Sequence, residues 1–345
     1  RLRAVDLLGC LGPSAAARAD TLAGMLDDTA VGSRSGATVG ETALWALARM
    51  NDPRCVPGLA ERVVTGGPRG LAAAAVHTPS GVAYHVPCLP ALHEILIGLP
   101  DHAEPLLPPL LDRLAVTADL REVEPLCAVL AAWGPRSAAA VPRLLALLED
   151  DRLWAAAAAG LAGIGTAVEE AYEPLRARMA TEGPDAEQAA WAYRQLGGEP
   201  GPALSVLGPA LTRGRPVRPV LRGLAALGPY AAPYAEPVRA MSAATDPWTR
   251  AEAAHTLWAV TGDTGSTVPV LLAIVRDLAD GVYRPVMLPA VRHLSRMGHA
   301  ARLPAAELLG ALAADDRRLH CSGSWRAFAE DEDIRAAVGE LLAGR

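Results

Sequence analysis

Five potential metal ligands, His77, His85, Cys88, His93 and His102, crowd into one short stretch of the chain. The tightest set is His85-x2-Cys88-x4-His93, because short loops can bring imidazole and thiolate to tetrahedral spacing. It matches no standard zinc module, and Pro87 and Pro90 impose an extended path between the candidates. Packing or capping of that segment is therefore the simpler reading, and no metal or cofactor is expected. A second set, Ser322-Gly323-Ser324 beside His320 and Cys321 with Asp315 and Asp316 upstream, offers nucleophile and base types. Neighbours in sequence do not make a triad, so these residues are read as a solvated loop and no catalytic residue is assigned. The chain has no GxGxxG following a strand, no P-loop and no HExxH.

A third pattern points to binding rather than catalysis. Nine helix-like apolar stretches each end in a glycine or its equivalent, at Gly12, Asn51, Gly98, Gly134, Gly165, Gly197, Gly228, Gly262 and Gly298. Six residues before these stops stand Trp45, Leu92, Ala128, Ala159, Trp191, Arg222, Thr256 and Arg292. That slot lies about 200° around a helix from the apolar slot four before each stop, and is expected to face outward. Glu41, Arg49, Gln188, Arg194, Arg218 and Arg296 should share the face. Trp and Arg are enriched where binding energy concentrates, so Trp45, Trp191, Arg194, Arg218, Arg222, Arg292 and Arg296 are the expected partner contacts. The alternative is that the tryptophans cover seams between helices and the arginines pair with neighbouring carboxylates. Arg213-Gly214-Arg215-Pro216-Val217-Arg218, with Arg222, Arg284, Arg292 and Arg296, could instead grip nucleic acid.

These side chains need a scaffold, and the stops describe it. They recur roughly 31 to 47 residues apart, the period of stacked helical pairs. Gly ends one helix with positive φ, and Pro13, Pro135, Pro200 and Pro229 suit the first turn of the next. First helices are expected near 14–27, 54–65, 102–116, 137–149, 168–180, 201–212, 231–243, 266–279 and 301–314. Second helices are expected near 37–50, 89–97, 121–133, 151–164, 185–196, 216–227, 247–260, 284–297 and 331–343. The residue before each stop (Leu11, Met50, Ile97, Trp133, Ile164, Leu196, Leu227, Met297) and the one four before it (Leu8, Leu47, Leu130, Leu161, Leu224, Leu294) should form a buried stripe. Insertions at about 66–87 and 315–330 break the period, and Glu330-Asp331-Glu332-Asp333 reads as the acidic first turn of the last helix.

Composition narrows the partners. All 32 basic residues are Arg, against 38 acidic ones, for a net charge of −6. A mildly acidic chain is a poor general phosphate binder, so nucleic acid is not the expected partner. The longest apolar run, Leu153 to Ile164, is too short to span a bilayer. Cys10, Cys55, Cys88, Cys127 and Cys321 are odd in number and never spaced CxxC, which suggests buried free thiols in a cytoplasmic protein. The opening Arg1, without Met, is expected to be a fragment edge.

Asp246-Pro247-Trp248-Thr249-Arg250-Ala251-Glu252-Ala253-Ala254-His255-Thr256-Leu257 resembles the second helix of a HEAT repeat. Trp154 to Gly165 and Val141-Pro142-Arg143-Leu144-Leu145 fit the same pattern. The likeness is to HEAT-like repeats of the phycobilisome-lyase type, found in actinobacterial proteins of unassigned function. It implies an all-α right-handed superhelix of about nine helix pairs, one solenoid over 1–345, whose second helices line a concave wall. It also implies a protein partner and a non-enzymatic scaffold or adaptor role. Alternatives are an alkylpurine-glycosylase-like grip on nucleic acid, or an accessory lyase or chaperone action on a partner protein. The resemblance transfers no catalytic residue.

Overall fold

The computed structural model describes residues 1–31, 36–66, 89–165, 167–213, 217–314, 319 and 325–344. Among them there is no strand, only an isolated bridge between Val31 and Thr38. The chain divides into two compact units, 1–171 with 323–328, and 172–322 with 329–345. The first holds α1 (Leu2–Leu11), α2 (Ala19–Ala23), α3 (Val39–Arg49), α4 (Val56–Thr65), α5 (Leu92–Ile97), α6 (Ala103–Val116), α7 (Leu120–Trp133), α8 (Val141–Leu147) and α9 (Trp154–Ile164). The second holds α10 (Tyr172–Met179), α11 (Pro184–Gln195), α12 (Pro200–Ala210), α13 (Val217–Leu227), α14 (Ala235–Met241), α15 (Pro247–Thr261), α16 (Thr264–Val275), α17 (Met287–Arg296) and α18 (His299–Ala314). The last helix, α19, runs Trp325–Ala343. Within each unit, second helices pack on the second helices of neighbouring pairs, as α7 does on α9 and α13 on α15. This is the stacked-pair, HEAT-like all-α arrangement.

Eight of the nine stops carry positive φ, including Asn51 at 56°, the one non-glycine among the described residues to do so. Asn tolerates the left-handed region better than other side chains, which is why it can stand in for Gly there. Gly98 departs from the pattern with φ −76°. Its helix ends instead in a tightening turn, with the Gly98 and Leu99 amides donating to the carbonyls of Ile95 and Leu96. Each Gly-Pro stop leads into a seven-residue 3-10 segment, Gly12–Arg18, Gly134–Ala140 or Gly228–Tyr234, where an α-helix was expected to begin at once.

The stripe is buried at Leu47, Leu130, Leu161, Leu224 and Leu294 and at most residues preceding a stop. Leu11 and Ile97 are exceptions, 43% and 38% exposed. In the second unit a continuous apolar core joins Ala251 and Ala254 of α15, Leu271 of α16, Ala290 and Leu294 of α17 and Ala301 of α18. The acidic run is also reassigned. α19 starts at Trp325, so part of the expected 315–330 insertion is helical and the acids lie beyond the first turn. Asp331 is 1% exposed and accepts from the Leu319 amide at 3.0 Å and Arg335 Nε at 3.1 Å.

Cys55 and Cys127 are buried free thiols and Cys10 is buried, while Cys88 and Cys321 lie outside the described residues. Burial pushes the Cys127 thiol up to about 12, and burial followed by the Asp52 charge pushes Cys55 up to about 11. The thiolate is the nucleophile, so both should resist iodoacetamide at neutral pH and react only once the chain is unfolded. Mass spectrometry of native and urea-treated protein checks this; rapid native labelling of either residue would contradict their burial.

Candidate functional site

Three successive second helices of the second unit, α13, α15 and α17, bring a polar cluster together. α15 begins where Asp246 caps it, accepting from the Thr249 amide at 2.9 Å and hydroxyl at 2.7 Å, with Pro247 filling the first turn. Its inward face is built from Ala251, Ala253 and Ala254, each 1% exposed or less. Ala251 and Ala254 pack into the core shared with α16, α17 and α18, and α15 also packs on α13. Thr256 fixes their register by donating to the Leu221 carbonyl of α13 at 3.0 Å.

Glu252 is caught in this seam, 4% exposed. A buried carboxylate demands a partner, and a guanidinium on one side supplies it. Arg222 Nε of α13 donates to its Oε1 at 2.9 Å. His293 Nε2 of α17 stands 3.8 Å from its Oε2, too far for a hydrogen bond. His293 is 6% exposed, stacks on His255 with ring centroids 4.0 Å apart and planes at 12°, and lies 3.2 Å through Nδ1 from Arg296 Nη1. Around this core, Arg218 lies over the Trp248 ring at 5.4 Å.

Electrostatics set the protonation. Burial, then the Arg296 charge, pushes His255 down to about 4. Burial lowers His293 further, reinforced by His255, Arg296 and Arg222. Both rings are therefore neutral near pH 7, and the 3.8 Å approach to Glu252 is no ion pair. Because a guanidinium only donates, the Arg296 contact makes Nδ1 of His293 the acceptor and leaves the proton on Nε2. That Nε2 is buried without a hydrogen-bond partner among the described residues. Two arginines against one carboxylate leave the cluster a net positive charge.

Glu252, His255 and His293 each place a ligand atom within 4.8 Å of the others, so a metal has to be considered. Zinc bonds of about 2.0–2.1 Å would require tetrahedral ligand atoms roughly 3.3 Å apart. The parallel stack sets the two imidazole planes side by side instead of converging them on one point. Arg222 already holds one carboxylate oxygen, Arg296 already holds Nδ1, and both repel a cation. The arrangement is better suited to an anion.

The expected contact residues separate accordingly. Arg218, Arg222, Arg292 and Arg296 are exposed, and Trp191 and Arg194 are partly exposed, Arg194 with its Nε buried and unpartnered. Trp45 corrects the reading: it is 1% exposed, packed with Cys10, Ala37 and Leu89 against Gly9. The slot faces outward only where the neighbouring helix leaves no gap, and at Trp45 it does leave one. Leu92 and Thr256 in the same slot are buried too. Arg284, a candidate for the basic patch, is tied to Asp277 at 2.6 Å. His77, His85, Cys88, Arg215, Asp315, Asp316, His320, Cys321 and Ser322 to Ser324 lie outside the described residues. Of the remaining ligand candidates, His102 contacts the Asn51 carbonyl at 3.1 Å through Nε2 and so stabilises a stop.

Glu252, His255 and His293 were not singled out from sequence as site residues. One signal was available: Glu252-x-x-His255 places acid and imidazole on one helix face within an otherwise alanine-rich segment.

Compared with known proteins, the chain matches no family model and no curated protein. Among solved structures it is similar to Kap121p, with a TM-score of 0.41 and 11% identity over 96% of this chain. It spans 45% of that protein's length. Among the described residues no helix is long and apolar enough to cross a membrane.

Proposed function

We propose that the chain is a non-enzymatic protein-binding scaffold or adaptor, and that it binds through the face made by the second helices of its second unit. One observation carries this reading: Arg218, Arg222, Arg292 and Arg296 stay exposed on α13 and α17 while buried side chains between those helices hold two of them in place. Trp191 on α11 and Trp248 on α15 add aromatic surface of the kind on which interfaces concentrate their energy. The resemblance to phycobilisome-lyase-type HEAT repeats agrees with a role exerted on a partner protein and brings no chemistry of its own. Nucleic acid has less support, since Arg284 of the basic patch is paired with Asp277 and the chain is acidic overall.

The test is affinity capture from an extract of the source organism with wild type, Trp191→Ala and Arg222→Glu. Truncating a hot-spot side chain costs about 2 kcal/mol or more, so a true partner should be retained at least roughly tenfold less by each variant. Equal capture by all three would remove this face from the interface. Turnover of a small molecule by the purified protein, unchanged by either substitution, would point to an enzyme.

A further inference from the structure

Arg222 and Arg296 are not two independent surface charges. They sit at the ends of one chain of contacts through the protein: Arg222 Nε to Glu252 Oε1 at 2.9 Å, Glu252 Oε2 to His293 Nε2 at 3.8 Å, and His293 Nδ1 to Arg296 Nη1 at 3.2 Å. The middle members are buried, at 4% and 6% exposure, while the end members are exposed. Glu252 takes Nε of Arg222, and the Arg222 side chain is still 57% exposed. Arg296 rests on a neutral ring, so its charge is not cancelled. Arg292, one residue before His293, is exposed on the same helix.

We infer that Arg222 and Arg296, held from beneath by Glu252 and His293, form one recognition site for the carboxylates of an acidic segment of a partner protein. This rests on the scaffold reading and names the chemistry of its partner. A guanidinium presents donors in a planar fork that matches a carboxylate, and fixing the fork in advance reduces the ordering cost of binding. The cluster has a net positive charge within a chain of net charge −6. That contrast favours a short acidic segment, since a long polyanion would also meet the carboxylates that dominate elsewhere. Trp248 beneath Arg218 offers an apolar anchor for a side chain next to the acids.

The probe is a short fluorescein-labelled peptide of alternating Glu and Ser, followed by anisotropy against the full chain at low salt. Arg222→Ala with Arg296→Ala should weaken binding by about tenfold or more, as loss of two charge-assisted contacts implies. Glu252→Gln is the deciding variant. It makes the cluster more positive, so simple charge attraction predicts tighter binding; loss of a pre-set fork predicts binding weaker by roughly fivefold. Tighter binding in Glu252→Gln would overturn the inference. If circular dichroism shows that this variant does not fold, Arg222→Lys keeps the charge and removes the fork, and unchanged affinity there would overturn it instead. A single-stranded oligonucleotide of matched charge that binds more tightly than the peptide would also overturn it. Should the peptide fail to bind while Arg222→Glu still loses the captured partner, the acidic-segment inference falls and the scaffold reading stands. Should capture be unaffected as well, both fall.

Discussion

Trp133→Ala lowers the stability of the first unit by about 3–5 kcal/mol, measured as the loss in unfolding free energy on urea titration followed by circular dichroism. Trp133 is 2% exposed and ends α7, and its indole Nε1 donates to the Leu96 carbonyl of α5 at 2.8 Å. It thus fills the space between two second helices and adds a second donor to a carbonyl whose own residue is fully buried. Truncation opens a cavity and also removes one of two donors to that carbonyl, which keeps the Leu99 amide at 3.0 Å, so the lost hydrogen bond adds only about 0.5–1.5 kcal/mol. Trp133→Phe separates the contributions by restoring most of the apolar contact without the donor. Its cost should be clearly smaller. A loss under about 1 kcal/mol for Trp133→Ala would mean that the contact between α5 and α7 is not a stabilising seam.

The architecture was legible because its punctuation is a backbone requirement. Positive φ at the end of a helix is met by Gly or Asn and by few other residues, so Gly134, Gly228 and Asn51 announce helix ends whatever surrounds them. Gly98 shows the converse, because Gly permits left-handed geometry without enforcing it. The start of α19 was missed, because Ser324, a residue type that favours helix starts, stands directly before Trp325 but within Ser322-Gly323-Ser324, which reads as a solvated loop.

The site was legible in its exposed half only. Arg222 and Arg292 followed from their distance to a stop, and Arg218 and Arg296 from sharing their face. Glu252 and His293 lie at other offsets, and their importance depends on what the neighbouring helices leave uncovered. Thr256, bonded to the Leu221 carbonyl, holds α15 on α13, and Glu252 one turn earlier on the same side of α15 is thereby buried. No single-helix periodicity contains that information, because it resides in the residues facing each other across a seam. The same dependence placed Trp45 on the wrong side of its helix.

Trp45→Ala is accordingly expected to cost about 3–5 kcal/mol and to leave the proposed binding face of the second unit unchanged. The stronger test is its coupling to Gly9 of α1. A Cβ at Gly9 would lie 2.4 Å from Trp45 Cζ3 and 2.8 Å from Cε3, closer than carbon atoms pack. Gly9→Ala therefore sets an overpacking cost of about 1–3 kcal/mol against a helix-propensity gain of at most about 1 kcal/mol. The net effect of the single change should be destabilising. Once Trp45→Ala removes the ring, the same methyl enters vacated space and only the propensity gain remains, so Gly9→Ala should turn neutral or stabilising in that background. The cycle should show a coupling of about 1–3 kcal/mol, which urea titration of the four proteins would resolve. Simple additivity would mean that the ring does not occupy the space over Gly9, and Trp45 would again be available as an outward-facing contact.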